Sequence, residues 1–511
     1  MTSVAERLKA SRRIDWKYLL GEPLLRDVAV LEPVGHDLRT ALEVFADRFQ
    51  PVPSDDTEFR HPDGTPSRLV VVPDATRRRM ERARALVAPG GWLYAEFGAR
   101  SPSLLRNPAH LVHDFDSVRT YWVHSTHDSP RAFVELTTPG AARAYTARHL
   151  GGTARHLVGW LIRSAAVRRS LGPVALVARR PDPDRGTASG DPAICQPPTT
   201  GDDRDDDGGA DDEKSGVIVL TPSFSASRHV IGLIVNERTG ALLRVVKTSR
   251  LADDTQLEAE ARALTAVEEL AHPPLRPRVL SWGPAPGGRR LVQTPVAGDP
   301  MDRRAVASDP DGCTDLMAEW LSGLDRPGRS RPVDDGRWAR LVEEPLRQLE
   351  LRLDPDDPVR GLIEPTRTVV GDLAHHEIPV SFEHGDTRHP NILMGPDGVG
   401  LVDWELGQAE GFPLHDLSFF LEFVLESRGV ERPAASLVDP GSWAGARLAA
   451  EARRRDLDPR LCGPLVLLAL ARRTADHHRR AGRVGPRPSA SWRSCLEALG
   501  RGTSVQRVGV T

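Results

Sequence analysis

A short stretch of the chain carries three side chains that together could hold a metal ion and move a proton. Asp386, Asn391 and Asp403 lie within segment 381–421, which reads SFEHGDTRHPNILMGPDGVGLVDWELGQAEGFPLHDLSFFL. Carboxylate and amide oxygens are hard ligands that suit Mg²⁺. A carboxylate that is not bound to the metal can accept the proton of a hydroxyl group that attacks a phosphate. These residue types at this spacing therefore predict phosphoryl transfer.

A β-hairpin is predicted to bring the three side chains together. Two short apolar runs, at 391–394 and 399–402, are separated by the turn sequence GPDG. The HGD sequence precedes the first strand and the DWE sequence follows the second, so both lie at the open end of the hairpin. Each residue alone is an ordinary turn former. Their occurrence together, in this order around two predicted strands, favours a functional site over unrelated turn residues.

The spacing of Asp, four residues, Asn, an apolar strand and a second Asp is that of a kinase catalytic loop. The stretch resembles the aminoglycoside phosphotransferase and choline kinase-like family, which has a protein-kinase-like fold. The resemblance implies that Asp386 is the catalytic base and that Asn391 and Asp403 bind metal. It also implies that Asp416, in the LHDL sequence, braces the catalytic loop. We expect His384 to be structural, with its ring hydrogen-bonded behind the loop.

The nucleotide side of the site is predicted upstream of this stretch. The sequence SFSASR lies between two predicted strands, where a kinase has its glycine-rich loop over the phosphates. It has no GxGxxG pattern, and we expect Ser225 to offer a hydroxyl instead. By resemblance, Lys247 at the end of ALLRVVK grips the α- and β-phosphates, and Glu260 in the next helix pairs with Lys247. Glu258, on a different face of that helix, is the competing partner.

The sequence LVQTPVAGDPM resembles the hinge of the same family. Backbone groups near Thr294 and Val296 would hold the adenine, although Pro295 has no N–H to donate. The cofactors implied are ATP and Mg²⁺. The implied partner is a hydroxyl group on a small molecule of the aminoglycoside, amino alcohol or sugar type.

An acidic groove for a cationic acceptor is a further possibility in this half of the chain. The region that follows the catalytic hairpin contains four acidic residues, Glu405, Glu410, Glu422 and Glu426. Because acidic residues are common on protein surfaces, they carry little weight in choosing the acceptor.

The first 180 residues predict an α/β domain. Strands are expected at 27–32, 67–73 and 92–97, with a helix at 75–87 and a Pro-Gly-Gly turn before the last strand. The sequence ALVAPGGWLYAEF resembles the late part of a class I S-adenosylmethionine-dependent methyltransferase. The first strand, however, is not followed by the glycine-rich loop that lets backbone approach such a cofactor. We therefore predict a degenerate methyltransferase-like domain at 1–180 that scaffolds or binds.

Segment 181–215 is rich in Pro, Gly, Thr and Asp and nearly lacks apolar residues. It cannot bury enough surface to offset the entropy of ordering, so we predict a disordered acidic linker. The linker would join the α/β domain to an α+β bilobal protein-kinase-like domain. The kinase-like domain would have its N-lobe at 216–300 and its helical C-lobe, with the catalytic loop, at 301–511.

Composition excludes several classes of function. The 511 residues predict two or three domains, and the net charge of −3 gives no basic footprint for nucleic acid. The four cysteines are widely spaced without a CxxC pattern, which favours a reduced cytoplasm. The longest apolar run, 465–471, is far shorter than the roughly 20 residues that span a bilayer, so no membrane contact is expected. The oligomeric state stays open.

The expected function is that of a small-molecule kinase, an ATP-dependent phosphotransferase. One alternative is an S-adenosylmethionine-dependent methyltransferase with a kinase-like passenger domain, which the missing glycine-rich loop disfavours. A second is a non-catalytic nucleotide-binding module, which the complete set of Lys247, Asp386, Asn391 and Asp403 disfavours. A third is a protein kinase. The HGD sequence in place of His-Arg-Asp, and the lack of Ala-Pro-Glu after Asp403, disfavour that reading.

Overall fold

The computed structural model describes most of the chain in two compact units. The described residues are 4–53, 66–98, 108–149, 173–184, 192–195, 215–222, 227–270, 272–482 and 484–508. Unit 1 comprises Met1–Glu258 and Val279–Pro295, and unit 2 comprises Ala259–Arg278 and Val296–Thr511. Among the described residues, no helix has the length and apolar character needed to cross a membrane.

The described residues of unit 1 form one twelve-stranded sheet. Its strands in chain order are β1 (Asp27–Leu31), β2 (Arg48–Val52), β3 (Ser67–Val72), β4 (Val87–Phe97), β5 (Asp116–Ser125), β6 (Pro130–Glu135), β7 (Val174–Arg179), β8 (Ser215–Leu220), β9 (His229–Asn236), β10 (Leu242–Ser249), β11 (Val279–Ala285) and β12 (Gly288–Gln293). Their order across the sheet is β11-β12-β10-β9-β8-β6-β5-β7-β4-β3-β1-β2. Strands β1 to β4 pair in parallel, and the other pairs described in this sheet are antiparallel.

Short helices surround this sheet. They are α1 (Val4–Arg12), a 3₁₀ turn (Asp15–Leu19), α2 (His36–Phe45), α3 (Arg77–Leu86), a 3₁₀ turn (Pro108–Val112), α4 (Pro139–His149) and a 3₁₀ turn (Ala193–Cys195). The division between the units falls inside α5 (Gln256–Glu268). The parallel strands carry runs such as VAVL and LVVV that are almost completely buried, as expected when both faces of a sheet are covered.

The predicted elements of the first half are present with one difference. The expected Pro-Gly-Gly turn is part of β4, where Gly90 adopts a φ of +71° and the register with β3 shifts. Helix α4 is described to His149, and residues 150–172 lie outside the described part of the chain.

The sheet continues from the first half of the chain into the predicted kinase N-lobe. Strand β8 pairs with β6 through Ala132↔Leu220 and Val134↔Ile218, and with β9 on its other side. One core cluster contains Val30 of β1 together with residues of β8, β9, β10 and β12. This continuity differs from the boundary predicted at 181–215, because β8 forms backbone hydrogen bonds with strands on both sides of it.

Part of the predicted linker is ordered secondary structure that packs within unit 1. The Ala193 N–H donates to the Leu20 carbonyl over 2.6 Å, and the Ile194 side chain is fully buried. Ile194 packs over Gly232 of β9, where an added Cβ would come within 2.6 Å of its Cγ1. The prediction of disorder does not hold for residues 192–195, and residues 185–191 and 196–214 lie outside the described part of the chain.

Unit 2 is mainly helical and has two small sheets. Their strands are β13 (Asp299–Pro300), β14 (Asp325–Pro332), β15 (Glu377–Glu383), β16 (Ile392–Gly395), β17 (Gly398–Leu401) and β18 (Gln408–Gly411), ordered β13-β16-β17 and β14-β15-β18. The helices are α6 (Arg303–Ser308), α7 (Pro310–Ser322), α8 (Asp335–Trp338), α9 (Glu344–Arg352), α10 (Ile363–Val370), α11 (His415–Ser427), α12 (Pro433–Val438), α13 (Trp443–Arg454), α14 (Cys462–Ala481) and α15 (Pro486–Val508). A π-helical segment, Ala339–Glu343, joins α8 to α9, and 3₁₀ turns occupy Arg360–Leu362, Gly371–His375 and Pro459–Leu461.

The buried position of Ile194 gives a test of the anchored segment. We expect Ile194→Ala to lower the free energy of unfolding by about 2–4 kcal/mol, because it removes buried methylene groups and leaves a cavity beneath β9. Urea denaturation of the full chain measures this change. Leu243→Ala is the control, since Leu243 is 38% exposed and its truncation should change stability by less than about 0.5 kcal/mol. Equal stability of the two variants would contradict the conclusion that Ile194 anchors residues 192–195 to unit 1.

Candidate active site

The hairpin predicted around the catalytic motifs is present in unit 2. Strands β16 and β17 pair from Ile392↔Leu401 to Gly395↔Gly398. At the open end of the hairpin, the Val402 N–H donates to the Asn391 carbonyl over 3.0 Å. Asn391 directly precedes β16 and Asp403 follows β17, so both residues lie at the open end of the hairpin.

Asn391 contacts Asp386 directly. Its Nδ2 donates to Asp386 Oδ2 over 3.0 Å and to the Asp386 carbonyl over 3.1 Å. Because a carboxylate only accepts hydrogen bonds, the amide nitrogen of Asn391 must face Asp386. The amide oxygen of Asn391 is on the other side of the group, where it can act as a hard ligand.

Asp403 is held in an unusual backbone conformation. Its φ of +72° lies in the left-handed region, which non-glycine residues seldom adopt and which is often found at functional sites. Burial, with the nearby charge of Asp403, raises the pKa of Asp386, while Arg480 and Arg388 oppose this rise. Asp403 is thus close enough to Asp386 for their charges to interact.

The donor set fits Mg²⁺, a hard cation that prefers oxygen ligands. The Asn391 amide oxygen and the Asp403 carboxylate are both hard oxygen donors, and Mg²⁺ is commonly held by one or two such groups together with water and phosphate oxygens. Within the described residues, no group of three or more His, Cys, Asp or Glu side chains is placed to bind a metal. Two oxygen donors leave the other coordination positions of such an ion to water and phosphate oxygens.

Asp416 holds the catalytic loop from behind. Its carboxylate accepts hydrogen bonds from the N–H groups of His384 (2.7 Å) and Gly385 (2.8 Å), while Thr387 Oγ1 donates to its carbonyl over 2.6 Å. Asp416 is buried at the start of α11. These three bonds fix the backbone on both sides of Asp386, which is the bracing that the family resemblance implies.

The His384 ring lies behind the loop. It is completely buried and packs edge-on against Trp404 at 4.6 Å between ring centroids. The Asp386 N–H donates to its Nδ1 over 3.2 Å, so the ring proton lies on Nε2 and faces the Val402 carbonyl at 3.1 Å. His384 therefore joins the catalytic loop to the end of the hairpin, and Trp404 is a core residue.

A buried ion pair beneath the loop has no local signal in the sequence. Arg472 of α14 donates to both oxygens of Glu383, over 2.9 and 2.7 Å, and contacts His415 Nδ1 at 3.2 Å. Although burial opposes ionisation, Arg472 and His415 lower the pKa of Glu383 to about 2. Burial lowers the pKa of His415 to about 4, so its ring is neutral at pH 7.

Arg480 is a second residue that the sequence motifs do not reveal. It lies near the end of α14, forms a 2.6 Å ion pair with Glu405, and interacts electrostatically with Asp386 and Asp403. Its side chain is 17% exposed and that of Glu405 is 9% exposed. A cation next to two acidic site residues limits their mutual repulsion. No local pattern identifies Arg480, because it is distant in sequence from both motifs.

The four acids that suggested an acidic groove are each paired with arginine. The pairs are Glu405–Arg480, Glu410–Arg340, Glu422–Arg473 and Glu426–Arg303. Glu422 is also buried, at 1% exposure. These carboxylates therefore do not form an unpaired negative surface for a cationic acceptor.

Three of the predicted nucleotide residues belong to unit 1. Lys247 is buried in β10, opposite Ile231 of β9 and Leu291 of β12. Thr294 directly follows β12. Ser225 falls in segment 223–226, which lies outside the described residues.

The other two belong to unit 2. Glu260 is completely buried on α5, and Val296 is buried against Gly400 of the hairpin. Glu258, the competitor of Glu260, forms a 3.0 Å ion pair with Arg289 within unit 1. Glu258 thus has a partner of its own, which leaves Glu260 as the buried carboxylate of this helix.

The sequence matches a known family in this region. A model described as the phosphotransferase enzyme family matches residues 234–457, which include Lys247, Glu260, Asp386, Asn391 and Asp403. The match confirms the predicted resemblance and the kinase-like fold of the C-terminal half, and it supports small-molecule phosphotransferase activity. No curated protein sequence gave a significant match to the chain.

Solved structures were also found to be similar. Aminoglycoside phosphotransferase APH(3'')-Id from Streptomyces rimosus is 20% identical and aligns over 53% of this chain and 89% of its own, with a TM-score of 0.32. A thermostable mutant of aminoglycoside phosphotransferase APH(4)-Ia, in a ternary complex with AMP-PNP and hygromycin B, is 13% identical over 55% and 93%, with a TM-score of 0.38. Choline kinase LicA from Streptococcus pneumoniae is 12% identical over 55% and 92%, with a TM-score of 0.38.

The Glu383–Arg472 pair predicts a pH-dependent loss of stability. Because the folded-state pKa of Glu383 is below its unfolded value, its contribution is complete above about pH 4.5 and is lost as the pH falls towards 2. At pH 7 we expect Glu383→Gln to lower the free energy of unfolding by about 3–5 kcal/mol, since Arg472 is left buried without its counter-charge. The difference from the parent protein should shrink below pH 4.5. Denaturant unfolding at several pH values measures both effects.

The control for this prediction is Glu410→Gln. Glu410 pairs with Arg340, and both side chains are more than one-third exposed. The loss of such a surface pair should cost less than about 1 kcal/mol. A difference between Glu383→Gln and the parent protein that stays constant from pH 7 to pH 2.5 would contradict the assignment of a charged Glu383.

Proposed function

We propose that this protein is an ATP-dependent, Mg²⁺-requiring phosphotransferase that moves the γ-phosphate of ATP to a hydroxyl group of a small molecule. The hydrogen bond from the Asn391 amide nitrogen to the Asp386 carboxylate is the observation that carries the proposal. Because the Asn391 amide nitrogen faces Asp386, the Asn391 amide oxygen is free to bind a metal ion. The Asp386 carboxylate is left to accept a proton. Asp403, on the other strand of the hairpin, supplies the second oxygen ligand.

In this proposal, Asp386 accepts the proton of the acceptor hydroxyl as the hydroxyl oxygen attacks the γ-phosphate. A raised pKa suits the carboxylate to that role, because a general base works best when its pKa approaches the working pH. Asn391 and Asp403 would hold Mg²⁺, which neutralises the phosphate charge when it is bound. Asp416 and His384 keep the loop backbone fixed, so most of the rate enhancement comes from positioning.

The remaining roles follow the family resemblance. We propose that Lys247 contacts the α- and β-phosphates with Glu260 as its partner, that Ser225 contacts the phosphates, and that backbone groups near Thr294 and Val296 hold the adenine. The proposed organisation keeps the predicted spans 1–180, 181–215, 216–300 and 301–511 as functional regions. The cytoplasm is the proposed location, as the compartment that supplies ATP.

The acceptor is proposed to be a hydroxyl-bearing small molecule of the aminoglycoside, amino alcohol or sugar type. The acids that would favour a polycation are neutralised by Arg480, Arg340, Arg473 and Arg303. Discrimination among acceptors would therefore depend on hydrogen-bond geometry more than on net charge.

We propose that the N-terminal α/β region acts as a scaffold and not as a methyltransferase. In a doubly wound sheet the ligand binds where the strand order reverses, at the carboxyl ends of the strands, which here is between β1 and β3. Arg79 occupies this place by donating to the Leu31 carbonyl over 2.7 Å and to the Asp74 carbonyl over 2.9 Å. Because the Arg79 side chain is bonded at the ends of both strands, it disfavours binding of S-adenosylmethionine between β1 and β3.

Asp386→Asn tests the proposed chemistry. We expect kcat for acceptor-dependent ATP consumption to fall by about 10²–10⁴-fold, because the amide cannot accept the proton, while Mg²⁺-ATP binding is retained. A coupled assay over aminoglycosides, amino alcohols and sugars measures turnover, and calorimetric titration measures binding. Asp397→Asn is the control, since Asp397 lies at the closed end of the hairpin and is exposed.

The alternatives give different results in the same assays. Full turnover by Asp386→Asn would contradict its assignment as the base. Tight Mg²⁺-ATP binding without turnover on any acceptor would favour a nucleotide-binding module. Binding of S-adenosylmethionine in place of ATP would favour the methyltransferase.

A further inference from the structure

Arg250 is a fully buried cation at the end of the strand that carries Lys247. It directly follows β10, and 1% of the residue is exposed. Its Nε and Nη2 donate to the two carboxylate oxygens of Asp15 over 3.0 and 2.7 Å. Asp15 opens the 3₁₀ turn near the N-terminus and is equally buried. The N-terminal segment therefore supplies the counter-charge for a residue of the predicted nucleotide-binding strands.

The same guanidinium holds both ends of the β8–β9 connection. Its Nη1 donates to the Ser227 carbonyl over 2.9 Å and contacts Ser227 Oγ at 2.7 Å, and both Nη atoms lie 3.3 Å from the Pro222 carbonyl. Pro222 and Ser227 are the described residues on either side of segment 223–226. One arginine thus fixes the separation between the two ends of the connection that the sequence places over the phosphates.

Two further bonds fasten this corner of unit 1. The Arg250 N–H donates to the Arg228 carbonyl over 2.7 Å. Tyr18, three residues after Asp15, donates its hydroxyl to the Ser249 carbonyl over 2.6 Å. Ser249 is two residues beyond Lys247 on the same strand, so the N-terminal turn holds this strand through a side-chain ion pair and a hydrogen bond to its backbone.

We propose that Asp15 is a positioning residue for the nucleotide, and that it acts through Arg250 on β10 and on the ends of the β8–β9 connection. This inference rests on the proposed function, in which these strands bind Mg²⁺-ATP. Asp15 itself does not contact the nucleotide. Its charge keeps Arg250 in place, and Arg250 holds Pro222 and Ser227 beside the end of the strand that carries Lys247. The N-terminal segment is then part of the phosphotransferase and not an appended domain.

The energetics of buried charges make Asp15 necessary for this arrangement. A buried arginine that loses its carboxylate either stays uncompensated or moves towards water. Movement of Arg250 would release Ser227, Pro222 and the end of β10 together. A shift of about 1 Å in a phosphate-binding group can cost up to about a hundred-fold in rate or affinity.

Asp15→Asn in the full chain provides the main test. We expect the Kd of Mg²⁺-ATP, measured by calorimetric titration, and the KM for ATP to rise by about ten-fold or more. The KM for the acceptor should change much less, because the proposed function assigns only the nucleotide to these strands. The matched control is Asp253→Asn, which breaks the exposed Arg7–Asp253 pair between the same N-terminal segment and the residues after β10. This control should keep the parental Kd.

A double variant separates positioning from general stability. Asp15→Leu combined with Arg250→Met removes both buried charges, a replacement that often restores or raises stability. It does not restore the bonds to Ser227 and Pro222. We therefore expect the double variant to be more stable in urea than Asp15→Asn, but to keep a weakened affinity for ATP. Recovery of both stability and ATP affinity would show a merely structural role and would overturn the proposal.

Two milder variants cover the case in which Asp15→Asn does not fold. Tyr18→Phe removes the hydrogen bond to the Ser249 carbonyl, and Ser227→Ala removes the bonds of the Ser227 hydroxyl with Arg250 and with the His229 carbonyl. Neither leaves a buried charge, and both should raise the Kd of ATP more than Asp253→Asn does. Parental ATP affinity in both variants would overturn the proposal. If the parent protein binds no Mg²⁺-ATP, the proposed function itself fails. If the parent binds ATP and Asp15→Asn binds it equally well, only the present inference fails.

Discussion

Buried guanidinium groups that must keep their carboxylates hold together parts of this chain that are far apart in sequence. Arg13 pairs with Glu96, Arg250 with Asp15, and Arg472 with Glu383, each through two hydrogen bonds. All six side chains are less than one-tenth exposed. Because an uncompensated buried charge costs several kcal/mol, each pair makes its two segments depend on one another.

Two of these pairs, Arg250–Asp15 and Arg472–Glu383, lie next to residues of the proposed site. Glu383 directly precedes the HGD sequence, and its pairing with Arg472 places α14 beneath the catalytic loop in unit 2. Arg250 follows the strand of Lys247 in unit 1. The buried carboxylate of Asp416 is held differently, because backbone N–H groups and not an arginine donate hydrogen bonds to it. Each unit thus fixes its own part of the proposed chemistry by charges buried away from solvent.

The local sequence predicts those parts of the fold and the site that depend on neighbours along the chain. The hairpin, the contact of Asn391 with Asp386 and the strand of Lys247 all follow from short patterns, because turn residues and alternating apolar residues act locally. The joining of β6 to β8 does not, since pairing between strands separated by 181–215 leaves no mark in either strand. Ile194 shows the same limit, because a single apolar residue within a polar segment gives no sign that it is buried.

Charge patterns were the least reliable guide, for a reason that lies in the composition. The chain has 68 basic and 71 acidic residues, so most carboxylates can find an arginine once the chain is folded. Four acids that look like a patch in the sequence, from Glu405 to Glu426, are paired with arginines from α6, α14 and the π-helical segment. Arginine can bind a carboxylate through two parallel hydrogen bonds, and such a pair has no net charge that would attract a cation. The acceptor of the proposed reaction is therefore to be sought through the hydrogen bonds it can make and not through its charge.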